Sequence, residues 1–123
     1  MVSKEKLFPE ADFLTIHLVL SDRSRGLVGK TELALMKSTS FLINTSRGPI
    51  VDEAALIETL KGQKIVGAGL DVFDQEPLPP SHPFRQLSSV LATPHLGYGT
   101  RSLYEIFYRD SVANIKEWIL KNS

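Results

Sequence analysis

Residues 41–70 read FLINTSRGPIVDEAALIETLKGQKIVGAGL, and this stretch decides the fold. It begins and ends with short apolar runs, Phe41–Asn44 and Ile65–Leu70, which are nearly continuous, as expected of buried parallel strands. Between them Asp52–Lys61 is predicted to be a helix, because acidic residues stand at its positive end and Gly62 follows it. The order strand, helix, strand indicates a parallel α/β unit.

The same alternation continues on both sides of this unit. Two further strands are predicted at Phe13–Leu18 and Val90–Ala92, a short helix at Thr31–Lys37 and a long one at Ser102–Leu120. The long helix has apolar residues at spacings of four, four, three and four, namely Tyr104, Tyr108, Val112, Ile115 and Ile119. We therefore predict an α/β fold, a partial Rossmann-like doubly wound parallel sheet of about four strands with flanking helices.

The composition excludes several classes of protein. Among 123 residues, 14 Lys and Arg balance 14 Asp and Glu, and a net charge of zero argues against nucleic-acid binding. Because there is no cysteine, disulfides, thiolate metal sites and thiol catalysis are ruled out, and no metal site is predicted. No apolar run approaches the roughly 20 residues of a membrane helix, so no membrane partner is predicted and a cytoplasmic location is expected.

Four residues whose side chains can take part in catalysis or binding come shortly after strand ends. Arg47 follows the second strand, Asp71 and Glu76 follow the third, and His95 follows the fourth. In an open parallel sheet the carboxyl ends of the strands share one edge, and ligands of such folds bind there. We therefore expect these four side chains to converge, although each alone also has a structural interpretation. Those interpretations are a surface ion pair, a cap of the following loop, a solvated loop position and a structural histidine, respectively.

The four side chains suit one class of reaction. An arginine presents a rigid two-pronged donor that matches a carboxylate. A histidine near a carboxylate can give and take a proton close to neutral pH. Interconversion of a 2-hydroxy acid and a 2-keto acid needs both functions and also a hydride carrier. Since no side chain can carry a hydride, a nicotinamide cofactor is implied.

Three segments carry a family resemblance. Leu42–Leu56 reads LINTSRGPIVDEAAL, Gly67–Leu78 reads GAGLDVFDQEPL and Thr93–Gly97 reads TPHLG. Together they resemble the D-isomer-specific 2-hydroxyacid dehydrogenases, a family that includes glycerate, phosphoglycerate and D-lactate dehydrogenases. The segments are similar, in order, to the family's regions around its catalytic arginine, its cofactor aspartate with its catalytic glutamate, and its catalytic histidine. The similarity extends over nearly the whole chain from about Ala11.

The resemblance implies a role for each matching residue. Arg47 would bind the carboxylate and keto oxygen of the substrate, His95 would protonate that oxygen, and Glu76 would orient His95. On the cofactor side, Asp71 would hold the nicotinamide carboxamide. The other implied cofactor contacts are the backbone carbonyl of Thr45, and His95 and Gly97 lining the nicotinamide pocket. The implied cofactor is NAD, with NADP as an alternative, and the implied substrate is a small 2-keto or 2-hydroxy acid.

The 123 residues hold no G-x-G-x-x-G phosphate loop, because Gly67 and Gly69 are followed by valine at position 72 and by no helix. We therefore expect residues 1–123 to be the second half of a dinucleotide-binding domain, without the glycine-rich first half and the substrate domain. Such a chain is expected to be inactive alone and to bind NADH weakly or not at all. It is also expected to self-associate, through the Phe13–Leu20 edge or the terminal helix. The alternative is a non-catalytic truncated module that acts by self-association or partner binding.

Overall fold

The computed structural model of the protein describes residues 2–122 and contains one sheet of four parallel strands. They are β1 (Phe13–Ile16), β2 (Phe41–Asn44), β3 (Gly67–Leu70) and β4 (Val90–Ala92), side by side in chain order. Each neighbouring pair is parallel, so the carboxyl ends share one edge of the sheet. The predicted α/β fold with a parallel sheet of four strands and flanking helices is confirmed.

Four α-helices accompany these strands within residues 2–122. They are α1 (Lys4–Glu10), α2 (Lys30–Leu35), α3 (Glu53–Lys61) and α4 (Arg101–Asn122), with 3₁₀ turns at Gly48–Ile50 and Pro83–Arg85. α3 begins as its sequence predicts, because the Asp52 carboxylate caps it by accepting a hydrogen bond from the Ala55 N–H at 3.0 Å. α2 ends at Leu35, two residues before the predicted end.

Two of the strands are shorter than their apolar runs. The extension of β1 to Leu18 and the start of β3 at Ile65 are both wrong. The cause is β2, which supplies pairing partners only for residues 13–16 on one side and 67–70 on the other. Residues of an apolar run that extend beyond the neighbouring strand have no backbone hydrogen-bond partners there, so the strand ends.

The apolar core lies on one face of the sheet. Strand residues on that face, such as Leu14 and Leu42, form one buried cluster with Leu56 of α3 and with residues of α1 and α2. The opposite face stays largely open in the part of the chain that the structure describes. There the side chains of Phe13 and Leu91 are 68% and 73% exposed. The sheet therefore presents an apolar face and an open edge at β1.

Both ends of the chain depart from expectation. α1 is not predicted, and within it Lys4 makes contacts that no sequence pattern indicated. Its Nζ donates to the Leu27 carbonyl and to the Glu32 carboxylate, both at 2.9 Å. The predicted terminal helix is confirmed as α4, but none of its described residues is buried. No helix in that range combines the length and hydropathy needed to cross a membrane.

Candidate active site

The backbone after β2 is shaped by Asn44, a buried amide that the sequence patterns did not single out. Its side chain donates to the Arg47 carbonyl at 2.9 Å and accepts from the Ser46 N–H at 3.1 Å. The Ser46 hydroxyl donates to the Ile16 carbonyl of β1 at 2.9 Å. These bonds fix the turn that carries Thr45 and Arg47. An asparagine at the end of a buried apolar strand is the signal that could have identified it.

Arg47 itself is exposed at the carboxyl edge of the sheet. Its Nη1 donates to the Ser46 carbonyl at 2.6 Å, and its positive charge helps to lower the pKa of Glu76. Within residues 2–122 no hydrogen bond joins Arg47 to Glu76 or to His95. Arg47 therefore interacts with the other predicted site residues through its charge and not through a hydrogen bond. Most of its guanidinium donors make no hydrogen bond within residues 2–122.

Gly48 allows the turn after β2 to approach the loop after β3. A Cβ built on Gly48 would lie 2.1 Å from the Phe73 carbonyl carbon and 2.5 Å from the Asp74 nitrogen. Both atoms belong to the backbone and cannot rotate aside as a flexible side chain would. The close approach of the two backbones therefore requires glycine at this position.

We expect Gly48→Ala to lower the free energy of unfolding by about 1–3 kcal/mol, because the added methyl must push the Phe73–Asp74 backbone away. Urea unfolding at neutral pH would measure this change. Gly69→Ala is the matched control, since its Cβ would meet only Ile43 at 3.9 Å, an ordinary contact. Equal stability of Gly48→Ala and the parent would contradict the close approach.

Asp71 joins the end of β3 to the loop after β4. Its Oδ1 accepts hydrogen bonds from the Thr93 hydroxyl at 2.5 Å and the Leu96 N–H at 2.8 Å, and its Oδ2 accepts from the Gly97 N–H at 2.8 Å. Burial alone would raise the pKa of Asp71, but these three donors outweigh it and hold the pKa below its ordinary value. Asp71 thus anchors the loop after β4, which presents His95, and not the loop directly after β3 that its structural interpretation expected it to cap.

His95 lies in the loop Thr93–Gly97 with a left-handed backbone, at φ 55°. This conformation is uncommon for a side chain with a Cβ and is associated with functional sites. The His95 N–H donates to the Thr93 carbonyl at 3.0 Å, while the next two N–H groups bind Asp71. These three hydrogen bonds therefore fix the backbone that carries the imidazole.

His95 and Glu76 form a direct pair. The Nδ1–H of His95 donates to the Oε2 of Glu76 at 2.6 Å, and the Oε1 of Glu76 accepts from the Phe73 N–H at 2.9 Å. Burial would raise the pKa of Glu76, but the hydrogen bond from His95, that from Phe73 and the charge of Arg47 lower it. Glu76 is exposed, as its interpretation as a solvated loop residue expects, but its carboxylate also has these two hydrogen-bond partners.

An open cavity of about 550 Å³ adjoins this pair. His95, Glu76 and Thr93 line it, together with apolar residues of the loops after β3 and β4. The volume is in the range of small-molecule sites. Arg85, also on the wall, already donates to the Leu78 carbonyl at 2.8 Å and fixes that loop.

The remaining predicted site residues, Thr45 and Gly97, lie at the same edge of the sheet. Thr45 is exposed directly after β2, and Gly97 contacts Asp71 as described. Two further histidines lie apart from these residues: His17 is exposed and hydrogen-bonds to Thr15, and His82 is largely buried against Glu53. Among residues 2–122 no cluster of three His, Cys, Asp or Glu could hold a metal ion.

The family assignment follows from comparison with known sequences. The model of the D-isomer specific 2-hydroxyacid dehydrogenase family, NAD binding domain, matches residues 1–97, more than half of the chain. The chain belongs to this family. The matched range includes all three segments that carry the resemblance and ends at Gly97, immediately after the loop that presents His95. The edge described above is thus part of a 2-hydroxyacid dehydrogenase NAD-binding domain.

Individual 2-hydroxyacid dehydrogenases agree with this assignment. Glyoxylate/hydroxypyruvate reductase B of Enterobacter agglomerans is 45% identical over 111 residues, which cover 90% of this chain and 34% of that enzyme. A phosphoglycerate oxidoreductase of Vibrio cholerae O395 has a TM-score of 0.88 at 36% identity, over 98% of this chain and 39% of that one. An enzyme of Xanthobacter autotrophicus Py2, in complex with NADPH and MES, has a TM-score of 0.72 at 40% identity, over 75% and 38% of the two chains. The chain spans about a third of the length of the curated relatives it matches.

Proposed function

We propose that the chain supplies the substrate-binding and proton-transfer side of an oxidoreductase that moves a hydride between NAD(P)H and a small 2-keto or 2-hydroxy acid. The observation that carries the proposal is the 2.6 Å pair of Glu76 and His95 at the sheet edge where Arg47 is exposed. An oriented histidine is the acid and base that this reaction needs, and an available guanidinium is the anchor for its carboxylate.

In this proposal His95 donates the proton during reduction. Its Nδ1–H is held by Glu76, so Nε2 remains to bind the keto oxygen of the substrate. The negative charge of Glu76 stabilises the imidazolium before the proton leaves and keeps the ring in place afterwards. In the reverse direction the same Nε2 removes the hydroxyl proton of the 2-hydroxy acid.

Arg47 is proposed to bind the carboxylate and the keto oxygen of the substrate. Its side chain is exposed at the edge, and the network of Asn44 and Ser46 fixes the backbone beneath it. A bidentate guanidinium–carboxylate contact would align the carbonyl carbon with the neighbouring histidine. The cavity beside His95 is large enough for such a small acid.

The residues on the cofactor side fit a nicotinamide. The Asp71 carboxylate can accept about four hydrogen bonds. Within residues 2–122 three hydrogen bonds to it are present, so one acceptor position remains for a carboxamide N–H. The Thr45 carbonyl, His95 and Gly97 are the further proposed contacts, and the bound nicotinamide of NAD or NADP would supply the hydride. We propose residues 1–123 as the second half of the dinucleotide-binding domain, whose phosphate-binding part would lie outside these residues.

A segment exchange tests this proposal. The 111 matching residues of the Enterobacter agglomerans reductase would be replaced by the corresponding residues of this chain. Reduction of glyoxylate by the chimera would then be monitored through the oxidation of NADPH. We expect a folded chimera that reduces glyoxylate, because every proposed contact is within the exchanged segment. A chimera that unfolds cooperatively but does not oxidise NADPH with glyoxylate would contradict the proposed function.

A second candidate is that the chain works by association with a second copy of itself. The open edge of β1 and the unburied stripe of α4 favour it, since Phe13 is 68% and Trp118 67% exposed. We expect light scattering to give a mass above that of a monomer, rising with concentration. Phe13→Glu and Trp118→Glu would show whether the edge or the helix forms the contact. A clean monomer over a wide concentration range would exclude this candidate.

A further inference from the structure

A second histidine–glutamate pair lies at the far end of the loop that carries Glu76. His82 Nε2 is 3.0 Å from the Oε1 of Glu53, and the two side chains are only 15% and 23% exposed. The other ring nitrogen, Nδ1, accepts a hydrogen bond from the Phe84 N–H at 3.2 Å. Nε2 therefore carries the hydrogen and donates it to the carboxylate, so both nitrogens have a defined partner.

Glu53 contacts the loop on both sides of Glu76. Its Oε1 accepts from His82, and its Oε2 accepts from the Asp74 N–H at 3.5 Å. Glu53 is the first residue of α3, and α3 is anchored in the core by buried residues such as Leu56. One carboxylate on a rigid helix thus ties residues 74 and 82 together across the segment that presents Glu76.

A chain of contacts leads from His82 back to Glu76. The His82 ring lies 5.0 Å from the Phe84 ring, and the Phe84 ring lies 6.3 Å from that of Phe73. Both phenylalanines are buried, and the Phe73 N–H donates to the Oε1 of Glu76 at 2.9 Å. By contrast, the side chains of His95 and Glu76 are 38% and 33% exposed. A pair this accessible to water gains little stability from its own ion pair, so its geometry also depends on the loops that carry it.

We propose that Glu53 and His82 are positioning residues, whose hydrogen bond holds the loop so that the Glu76 carboxylate stays against the imidazole of His95. Neither residue contacts the reacting atoms. The catalytic use of the His95–Glu76 pair rests on the proposed function, but the contact itself is present in the chain without substrate. Its geometry can therefore be measured independently of any activity.

The test is NMR of the full 123-residue chain. Two signals report the pair: the Nδ1–H proton of His95, and the ¹³C titration of the Glu76 carboxyl. In Glu53→Ala we expect the proton signal to be lost and the pKa of Glu76 to rise towards its ordinary value, because the hydrogen bond that lowers it is loosened. Glu53→Gln should keep both signals, since its amide oxygen still accepts from His82 at the shorter contact and only the longer one, from the Asp74 N–H at 3.5 Å, is lost. Glu58→Ala is the matched control, on the same helix but exposed and paired only with Lys30 at 3.8 Å.

A second variant covers the case in which Glu53→Ala does not fold. His82→Phe keeps a ring against Phe84 but removes both nitrogen contacts. We expect it to lose the His95 proton signal and to raise the pKa of Glu76 in the same way. Folded Glu53→Ala or His82→Phe with both signals unchanged would overturn the proposal. Equal loss in Glu53→Gln would overturn it as well. An inactive chimera would count against the proposed function alone, because these signals do not depend on turnover.

Discussion

The glyoxylate-reducing chimera is expected to lose about 10²–10⁴-fold in kcat when His95 is replaced by glutamine, the range typical of a positioned acid–base group. Glutamine can donate a hydrogen bond to a keto oxygen but cannot release a proton near neutral pH. It also gives up the imidazolium that the neighbouring carboxylate of Glu76 stabilises. Steady-state kinetics with NADPH and glyoxylate would measure the change.

The control for this variant is Lys64→Gln in the same chimera. Lys64 is exposed in the turn after α3, at the amino end of the sheet and away from the carboxyl edge. We expect its kinetics to match those of the unaltered chimera. A His95→Gln chimera with kcat close to that of Lys64→Gln would remove His95 from the proposed mechanism.

Asp71→Asn is expected to lower the free energy of unfolding by about 1–3 kcal/mol, the usual cost of leaving buried hydrogen-bonding groups unsatisfied. The carboxylate accepts three hydrogen bonds from Thr93, Leu96 and Gly97. An amide has only one acceptor oxygen, so its N–H₂ must face at least one of these donors. The loop that presents His95 should then open, and the Leu96 and Gly97 amide protons should exchange faster with solvent.

The pH dependence of stability gives a second view of Asp71. Its pKa in the folded chain is below the ordinary value of 3.8. Its contribution to stability is therefore complete above pH 3.8 and is lost as the pH falls through the lower folded-state pKa. The stability difference between parent and Asp71→Asn should shrink over that range. Asp110→Asn, on exposed α4, is the control and should change stability by less than about 0.5 kcal/mol at any pH. A pH-independent difference for Asp71→Asn would contradict the role of its charge.

Much of the fold could be predicted from the alternation of apolar runs and helices. β2 and β4 have the predicted bounds, because every residue of their apolar runs has a pairing partner in a neighbouring strand. β1 and β3 are shorter, because a strand ends where its partner does, and the partner is not visible in a local pattern. α1 depends on tertiary contacts of Lys4 and Phe8, which no spacing reveals.

The site could be predicted as a set of residues but not as a geometry. Arg47, Asp71 and His95 follow strand ends, and topology alone brings them to one edge. The pairing of Glu76 with His95 is implied by the family resemblance, but spacing alone does not predict it, because it depends on a loop in which the Phe73 N–H binds the Glu76 carboxylate. The left-handed backbone of His95 is likewise a product of the loop anchored on Asp71. Similarly, the side chain of buried Asn44 bonds to the backbone of Ser46 and Arg47. No sequence pattern indicates such contacts, because nearly every residue has these backbone groups.

The most direct test of the central claim is an NMR titration of the chain with NADH. The claim is that the carboxyl edge of the sheet forms the nicotinamide and substrate side of a dehydrogenase site. We predict amide shifts centred on Thr45, Leu96 and Gly97, with half-saturation on the order of millimolar, since no phosphate loop is present in the sequence. Saturable shifts centred on another surface of the chain, with none at this edge, would contradict the claim.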